Sequence, residues 1–227
     1  MEINQYNLAK SIDSTILKPD SSNLDIEKLC SDAAKYGFAS VCILPHYTSY
    51  AANLLNGSGV KICSVVGFPL GANFISTKLE EAESLLEHNC NELDMVINIA
   101  AMINGDTAYI KEEIEALSEL CHTNDAILKV IIETCLLTDE QKITMCKIIG
   151  ESGADFIKTS TGFSKSGANL NDILLFKKFI GDKVRIKASG GIRDLSQTLQ
   201  FIEAGADRIG TSAGEFIMKE FISNEVR

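Results

Sequence analysis

Residues 153–160 read GADFIKTS and residues 205–212 read GADRIGTS, so one eight-residue pattern occurs twice at an offset of 52 positions. In each copy Gly-Ala-Asp is typical of the turn from a helix into a strand, the aliphatic residues that follow are typical of a buried strand, and Thr-Ser opens the next loop. The offset equals two strand–helix units. We therefore expect parallel strands that alternate with helices, with both copies ending at the same edge of one sheet.

Eight such strands are expected along the chain, because short β-branched or aliphatic runs alternate with stretches of helical periodicity. The runs are residues 11–16, 39–44, 61–66, 92–98, 127–133, 155–158, 184–188 and 207–210. Thr77 with Glu80 and Thr138 with Gln141 have the spacing of a capping box and predict two helix starts. The sequence therefore predicts one (β/α)8 TIM barrel domain over residues 1–227, with a short N-terminal helix. An open, doubly wound sheet is the alternative.

Composition limits the classes of partner. The chain has 45% hydrophobic and 23% charged residues, which is ordinary for a globular protein. A net charge of -10 disfavours nucleic acid or an anionic membrane as the main partner. No apolar run approaches the roughly 20 residues of a membrane span, and residues 1–4 lack the basic start of a signal peptide. We expect a cytoplasmic protein.

The cysteines and histidines show no metal pattern. Seven cysteines, an odd number without a CxxC pair, lie mostly in apolar segments, as Cys42 and Cys63 do. They are expected to be reduced, buried thiols rather than a disulfide framework or a zinc site. His46, His88 and His122 have neither metal-ligand nor triad spacing, and we assign them no role.

Two lysines stand at the ends of apolar, strand-like runs, Lys158 at the end of the sixth and Lys187 in the seventh. A strand end that points into a pocket removes water from an ammonium group, and a second cation nearby also favours the neutral amine, which can attack a carbonyl. Lys158 is therefore a candidate Schiff-base nucleophile and Lys187 its electrostatic neighbour. For each lysine alone, the alternative is a polar strand end whose ammonium reaches water.

Carboxylates occur in the same kind of run. Asp94 interrupts the apolar run 92–98, where an unpaired carboxylate would be costly, so it should face a cation or a polar cavity. Pairing with Lys187 is the simplest arrangement. Asp13 is a second carboxylate in a strand-like run, and both a structural role and a site role stay open for it. Glu133 ends the fifth run, where it is expected to shape the cavity without chemistry.

Three glycine-containing loops follow the late strands, at residues 160–164, 189–192 and 210–214. Backbone N–H groups beside glycines, followed by helix N-termini, bind anions, and TIM barrels often bind a phosphate after strands seven and eight. An acidic protein can hold a phosphate locally in this way, aided by Arg193 or Lys165. The alternative is that the loops are ordinary tight turns.

With these stretches assembled, the sequence resembles class I deoxyribose-phosphate aldolases. The resemblance is carried by residues 12–20, 41–45, 65–71, 92–98, 129–134, 156–163, 187–193 and 208–212. Its most specific part is the combination of KTSTG at residues 158–162 with KASGGIR at residues 187–193.

The resemblance implies a reversible cleavage of 2-deoxy-D-ribose 5-phosphate to D-glyceraldehyde 3-phosphate and acetaldehyde, without a metal or other cofactor. It implies Lys158 as the Schiff-base lysine, Lys187 as the second lysine that lowers the proton affinity of the first, and Asp94 as a proton donor and acceptor working through bound water. The supporting positions are Asp13, Cys42, near the aldehyde pocket, and Thr159. The phosphate-contacting positions are Gly162, Gly190, Gly191, Arg193 and Ser212. A homodimer or homotetramer is expected.

The sequence departs from the family pattern at three places. Ser14 stands where many relatives have histidine, Lys165 stands where small polar residues are more usual, and residues 221–227 contain no tyrosine of the kind that folds over the site in some members. Another lysine-dependent phosphosugar lyase or transaldolase-like barrel, and a non-catalytic phosphosugar-binding barrel, remain the alternatives.

Overall fold

The computed structural model describes residues 3–225, and within them the chain forms eight strands and ten α-helices. The strands are β1 (Ile12–Ile16), β2 (Ser40–Ile43), β3 (Lys61–Val66), β4 (Glu92–Val96), β5 (Ile127–Ile131), β6 (Phe156–Lys158), β7 (Arg185–Ser189) and β8 (Arg208–Thr211). The helices are α1 (Gln5–Ser11), α2 (Asn23–Tyr36), α3 (Thr48–Leu54), α4 (Ile75–Glu87), α5 (Ile99–Ile103), α6 (Thr107–Thr123), α7 (Asp139–Glu151), α8 (Leu170–Phe179), α9 (Leu195–Glu203) and α10 (Gly214–Glu225). Met1, Glu2, Val226 and Arg227, the outermost residues of the predicted start and tail, lie outside the described part.

The strands close into a parallel barrel in the order β1 to β8. Closure depends on β1, which pairs with β2 on one side and with β8 on the other. The predicted TIM barrel with a short N-terminal helix, α1, is therefore confirmed. The alternative of an open, doubly wound sheet is wrong, because an open sheet would leave β1 and β8 unpaired with each other.

The repeated octapeptides form equivalent parts of this barrel. In the first copy α7 ends at Glu151 and leads through Gly-Ala-Asp into β6; in the second, α9 ends at Glu203 and leads through the same turn into β8. Lys158 and Gly210 take corresponding positions near the carboxyl ends of their strands. Both copies therefore point at one end of the barrel, as the sequence predicts.

Two predicted runs extend two residues past the carboxyl ends of the strands they contain. The run 92–98 ends as a strand at Val96, because the Asn98 side chain accepts a hydrogen bond from the Ala101 backbone N–H at 3.1 Å and starts α5. The run 127–133 ends as a strand at Ile131, and Glu133 turns the chain with a φ of 51°. Polar residues that end an apolar run here begin the next element.

One of the two predicted capping boxes is correct. Thr138 and Gln141 exchange side-chain and backbone hydrogen bonds at the start of α7. The box at Thr77 with Glu80 is wrong, because α4 already begins at Ile75 and Thr77 lies inside its first turn. Spacing alone does not show where the preceding loop ends.

The barrel has two kinds of interior surface, because successive residues of a strand face opposite sides. In β4, Leu93 and Met95 are fully buried in the large apolar core formed with the helices. Glu92 and Asp94 are equally buried but face the barrel axis, where charged groups meet. Among residues 3–225, no helix is long and apolar enough to cross a membrane.

Candidate active site

The barrel axis holds a cluster of seven buried ionisable side chains, called the axial cluster here. Its carboxylates are Asp13, Glu92 and Asp94, and its bases are Lys129, Lys158, Lys187 and Arg208. They come from β1, β4, β5, β6, β7 and β8. Closure of the barrel brings together groups that are far apart in the chain.

Asp94 is the centre of the axial cluster. Its Oδ1 accepts a hydrogen bond from Lys129 Nζ at 2.9 Å, and its Oδ2 accepts from Lys158 Nζ at 2.6 Å and from Lys187 Nζ at 2.7 Å. Burial alone would raise the pKa of Asp94, but these neighbouring cations outweigh burial and hold the pKa well below its usual range. Asp94 is therefore an ionised carboxylate that links the two predicted catalytic lysines.

Lys187 is held between two carboxylates. Its Nζ lies 2.6 Å from Asp13 Oδ2 as well as 2.7 Å from Asp94 Oδ2. Burial would lower the pKa of Lys187, but Asp13 and Asp94 together raise it above its ordinary value. Lys187 is thus a fixed positive charge, and it shares Asp94 Oδ2 with Lys158.

Lys187 also has a steric partner, Gly210. A Cβ at Gly210 would lie 2.9 Å from Ser189 Cβ and 3.2 Å from Lys187 Cε. Gly210 lines the cavity above the cluster, as expected for a strand end that a ligand approaches. Its missing side chain also provides space for Lys187, which the sequence alone does not indicate.

The remaining members of the axial cluster, Glu92, Lys129 and Arg208, are not identified from the sequence. Arg208 donates to Asp13 Oδ1 and, at 2.9 Å, to Glu92 Oε2, while Lys129 Nζ lies 2.6 Å from Glu92 Oε2. A usable signal exists, because Glu92 is two positions from Asp94 and Arg208 two positions from Gly210, so each pair shares a strand face. Lys129 is the register partner of Asp94 on the neighbouring strand.

For Lys129 and Arg208, as for Lys187, the neighbouring negative charges outweigh the effect of burial on the pKa. Burial would lower the pKa of Lys129, but Asp94, Cys63 and Glu92 raise it well above its usual value. Asp13 and Glu92 likewise outweigh burial and raise the pKa of Arg208. The axial cluster thus contains three carboxylates and four bases, of which three are held in the charged form.

A cavity of about 830 Å³ opens above the cluster at the carboxyl ends of the strands. Of the seven cluster residues, Lys158 alone lines it. All five predicted phosphate-contacting residues line it too, namely Gly162, Gly190, Gly191, Arg193 and Ser212. One continuous space therefore connects the Lys158 amine with the glycine loops.

Tight packing explains why residue 190 is a glycine. Gly190 has a φ of 89°, which side chains rarely adopt, and a Cβ there would lie 2.9 Å from Gly167 Cα. Gly167 is equally confined, since its Cβ would lie 2.0 Å from the Gly190 carbonyl oxygen. The two loops at one side of the cavity therefore touch through their backbones.

The supporting residues take different places. Cys42 Sγ lies 3.7 Å from Asp94 Oδ2, below the cavity rather than in its lining. Thr159 Oγ1 donates to the Ser189 carbonyl at 3.2 Å and accepts from the Ser189 N–H at 3.1 Å, so it ties β6 to β7. Ser14 is buried, whereas Lys165 is exposed and is not among the cavity-lining residues.

One group in the described part of the chain has the donor atoms for a metal ion, namely Cys42, Cys63 and Asp94, whose ligand atoms lie within 4.8 Å of one another. Both oxygens of Asp94 already accept from lysine ammonium groups, and Lys129 Nζ also contacts Cys63 Sγ at 3.3 Å. A cation would compete there with the lysine nitrogens already bound to Asp94, of which Lys129 and Lys187 are held in the charged form. All seven cysteines are free, and all but the partly exposed Cys135 are buried.

The chain is similar to several known proteins. The model of the DeoC/LacD family aldolases matches residues 8–219. The deoxyribose-phosphate aldolase of Caldicellulosiruptor saccharolyticus is 52% identical over 214 residues, which cover 94% of this chain and 97% of that protein. The enzyme of the same name from Streptococcus mutans is 50% identical over 219 residues, 96% of each chain.

The fold also matches a solved structure. It superposes with a TM-score of 0.91 on the deoxyribose phosphate aldolase of Aeropyrum pernix, described as a unique tetrameric structure, at 33% identity. The match covers 97% of this chain and 93% of that one. On the strength of these matches and of the family model, the chain belongs to the DeoC/LacD family of aldolases.

Proposed function

We propose that the protein is a class I aldolase that reversibly cleaves 2-deoxy-D-ribose 5-phosphate to D-glyceraldehyde 3-phosphate and acetaldehyde through a Schiff base on Lys158. The observation that carries the proposal is the position of Lys158, which belongs to the axial cluster and also lines the cavity. A nucleophile must reach both the substrate and the groups that move protons. The names of the relatives support the substrate.

The charge balance of the axial cluster supports a free amine at Lys158. Three carboxylates balance the charge of three of the four bases, and neighbouring carboxylates favour the charged form of Lys129, Lys187 and Arg208. A proton on the fourth base would leave one uncompensated positive charge in a buried site, which is costly. The cluster is electrically neutral when Lys158 is the unprotonated, nucleophilic base.

The reaction begins when the Lys158 amine attacks the aldehyde carbon of the open-chain sugar. Loss of water gives a protonated imine. A base removes the proton of the C3 hydroxyl, and the electron pair of the C2–C3 bond moves into the imine. D-glyceraldehyde 3-phosphate leaves, and the enamine that remains is protonated at C2 and hydrolysed to acetaldehyde, which restores the amine.

Asp94 and Lys187 are proposed to move these protons. Asp94 is ionised and shares its Oδ2 between Lys158 and Lys187, so a water molecule that reaches this oxygen from the cavity would pass a proton to or from the substrate. Lys187 is the fixed cation that keeps Asp94 ionised and disfavours a second proton nearby, and Asp13 fixes Lys187 from its other side. Cys42 and Thr159 support the arrangement without entering the reaction.

The phosphate is proposed to bind at the glycine loops. Gly162, Gly190 and Gly191 have positive φ values of 85°, 89° and 82°, and because glycine has no side chain a ligand can approach their backbone closely. Arg193 adds a positive charge and Ser212 a hydroxyl in the same cavity wall. Backbone dipoles with one guanidinium suit a phosphate in a protein of net charge -10.

Trapping of the imine tests the proposal. Incubation with acetaldehyde and sodium borohydride should add one reduced ethyl group, and peptide mass mapping should place it on Lys158. K158M should not be labelled, and EDTA should not change the rate. Labelling at another lysine, or none in the wild type, would overturn the mechanism. Turnover of 2-deoxyribose 5-phosphate, measured with coupled reduction of the aldehyde, tests the substrate.

We also propose that the protein assembles as a homodimer or homotetramer. The tetramer described for the Aeropyrum pernix relative supports this, as do the exposed apolar side chains of Leu70 and Phe74, which are 73% and 79% accessible. Multi-angle light scattering should give a mass of two or four chains. A monomer at micromolar concentration would contradict the proposal.

A further inference from the structure

Glu133 has an unusual backbone at the edge of the cavity. It lies two residues beyond β5 with φ 51° and ψ 67°, the left-handed region that residues other than glycine seldom adopt. Its side chain is nevertheless almost fully buried, with 1% of the residue accessible. A strained backbone that buries a carboxylate persists only where the contacts of that carboxylate compensate for it.

Those contacts all go to one residue of the loop after β6. Both Glu133 carboxylate oxygens accept from the Thr161 backbone N–H at 3.3 Å, and Oε2 also accepts from the Thr161 hydroxyl. The Thr161 hydroxyl oxygen in turn accepts from the Phe163 N–H at 3.1 Å. The carboxylate therefore fixes both ends of the segment that contains Gly162.

The fixed segment is part of the cavity wall. Thr161, Gly162 and Phe163 all line the cavity, directly after the strand that carries Lys158. Among residues 3–225, no lysine, arginine or histidine lies within ion-pair distance of Glu133. Burial raises the pKa of the Glu133 carboxylate above its usual value and outweighs Lys158, which acts on the carboxylate through space and lowers its pKa. The hydrogen bonds of the carboxylate go to the loop.

We infer that Glu133 is a positioning residue that orders residues 161–163 and thereby sets the affinity for the phosphate end of the substrate, while it contributes little to the chemistry at Lys158. The inference rests on the proposed function. A carboxylate suits the task because it offers two acceptors and no donor. An amide in its place keeps the shape but replaces one of the two oxygens with an NH2 group, so the contact of that oxygen with the Thr161 N–H is lost and becomes repulsive.

The test compares a phosphorylated with an unphosphorylated substrate. In E133Q, KM for 2-deoxyribose 5-phosphate should rise about tenfold with kcat changed by less than about threefold, the sign of lost binding that is equal in ground and transition states. The kcat/KM for 2-deoxyribose should change by less than about threefold. Competitive inhibition by inorganic phosphate should weaken by the same factor as the KM rises.

A second variant tests the route through Thr161. T161V removes the hydroxyl but keeps the backbone N–H and the side-chain shape, so it should raise the same KM by a smaller factor. The double variant should be no worse than E133Q alone, because both changes break one connection. If E133Q does not fold, T161V alone decides by the same comparison of the two substrates.

Two results would overturn the inference. Equal losses with both substrates would show a general structural role, and a fall in kcat at unchanged KM would place Glu133 in the chemistry. Borohydride trapping with acetaldehyde, which needs no phosphate, should proceed in E133Q at the wild-type rate. Failure of trapping in the wild type would instead overturn the proposed function, so the two failures are distinguishable.

Discussion

Two buried sets of charged side chains differ in kind: one has an arrangement suited to chemistry, and the other is a structural contact. The first is the axial cluster, and the second is the pair of Lys78 on α4 with Glu113 on α6, whose side chains are both 0% accessible. Lys78 Nζ lies 2.5 Å from Glu113 Oε1 and donates to the Val96 carbonyl at 2.6 Å. Glu113 Oε2 accepts from the Asn98 N–H at 2.9 Å. This pair fastens the helix layer to the end of β4.

The two sets respond differently to burial. Burial lowers the pKa of Lys78 and raises that of Glu113, even though each opposes the shift of the other. In the axial cluster, several opposite charges surround each group, and they outweigh burial for Asp94 and Lys187. A closed one-to-one pair is a structural contact, whereas a cluster with one base more than it has carboxylates, and with that base facing a cavity, is suited to chemistry.

The largest expected effect comes from removing the extra base. K158M should lower kcat/KM for 2-deoxyribose 5-phosphate by about 10⁴-fold, which corresponds to about 5.5 kcal/mol of transition-state stabilisation. The free energy of unfolding should stay equal or increase, because no carboxylate loses its only partner. Steady-state kinetics and urea denaturation measure the two quantities. K61M, at the exposed start of β3, is the matched control. Activity within tenfold of wild type would contradict the assignment.

The next largest effect is expected for the Lys78–Glu113 pair. K78M should lower the free energy of unfolding by about 3–5 kcal/mol, because Glu113 is left buried without a cation. The double variant K78M/E113L should recover most of that loss. Activity per folded molecule should stay within about twofold of wild type in both, since neither residue touches the cavity. A catalytic loss at unchanged stability would show that the two charge sets are coupled.

A smaller catalytic effect is expected for Lys187. K187M leaves three carboxylates and three bases in the axial cluster, so charge balance is then satisfied with the proton kept on Lys158. Imine formation at neutral pH should slow by about 100-fold, about 2.7 kcal/mol, and should recover as the pH is raised. The rate of borohydride trapping against pH measures this. An unchanged rate would remove Lys187 from the mechanism.

The smallest expected effect concerns the pH dependence of the free energy of unfolding. Asp94 and Glu113 contribute to it with opposite signs. The pKa of Asp94 is depressed in the folded protein, so its contribution to stability is present above the ordinary aspartate value of 3.8 and is lost as the pH falls. The pKa of Glu113 is raised above 4.5, so its contribution is lost as the pH rises. Each proton contributes at most about 1.4 kcal/mol per pH unit to the slope of unfolding free energy.

Urea denaturation between about pH 3 and pH 6 measures that slope. D94N should make the slope of unfolding free energy against pH less positive, and E113Q should make it more positive. Slopes that change in the same direction in both variants would show that the two sets are not electrostatically distinct.

The sequence predicts the barrel and three members of the axial cluster for physical reasons. Lys158, Lys187 and Asp94 stand out because each lies within or at the end of an apolar strand, where an unpaired charge is costly. Their convergence follows from the predicted parallel barrel, in which the carboxyl ends of all the strands lie at one edge. These three residues can be identified without knowledge of side-chain packing.

The other buried charges can be recognised only from contacts that the linear sequence does not show. Glu92 and Arg208 begin their strands next to polar turns, so each looks like an ordinary entry into a strand. Arg208 meets Asp13 only because the barrel closes, across 195 positions of sequence. Lys78 and Glu113 lie among many solvated charges on their helices, and helical periodicity does not show which of those charges turns inward.

Gly210 limits how far the internal repeat can be symmetrical. Its octapeptide copies the one that carries Lys158, the proposed nucleophile, yet the Cβ of a lysine at position 210 would lie 2.9 Å from Ser189 Cβ and 3.2 Å from Lys187 Cε. A lysine in the second copy would therefore require both Ser189 and Lys187 to shift. The two copies of the motif are not interchangeable, because the glycine of one provides space for a side chain that lies beside the lysine of the other.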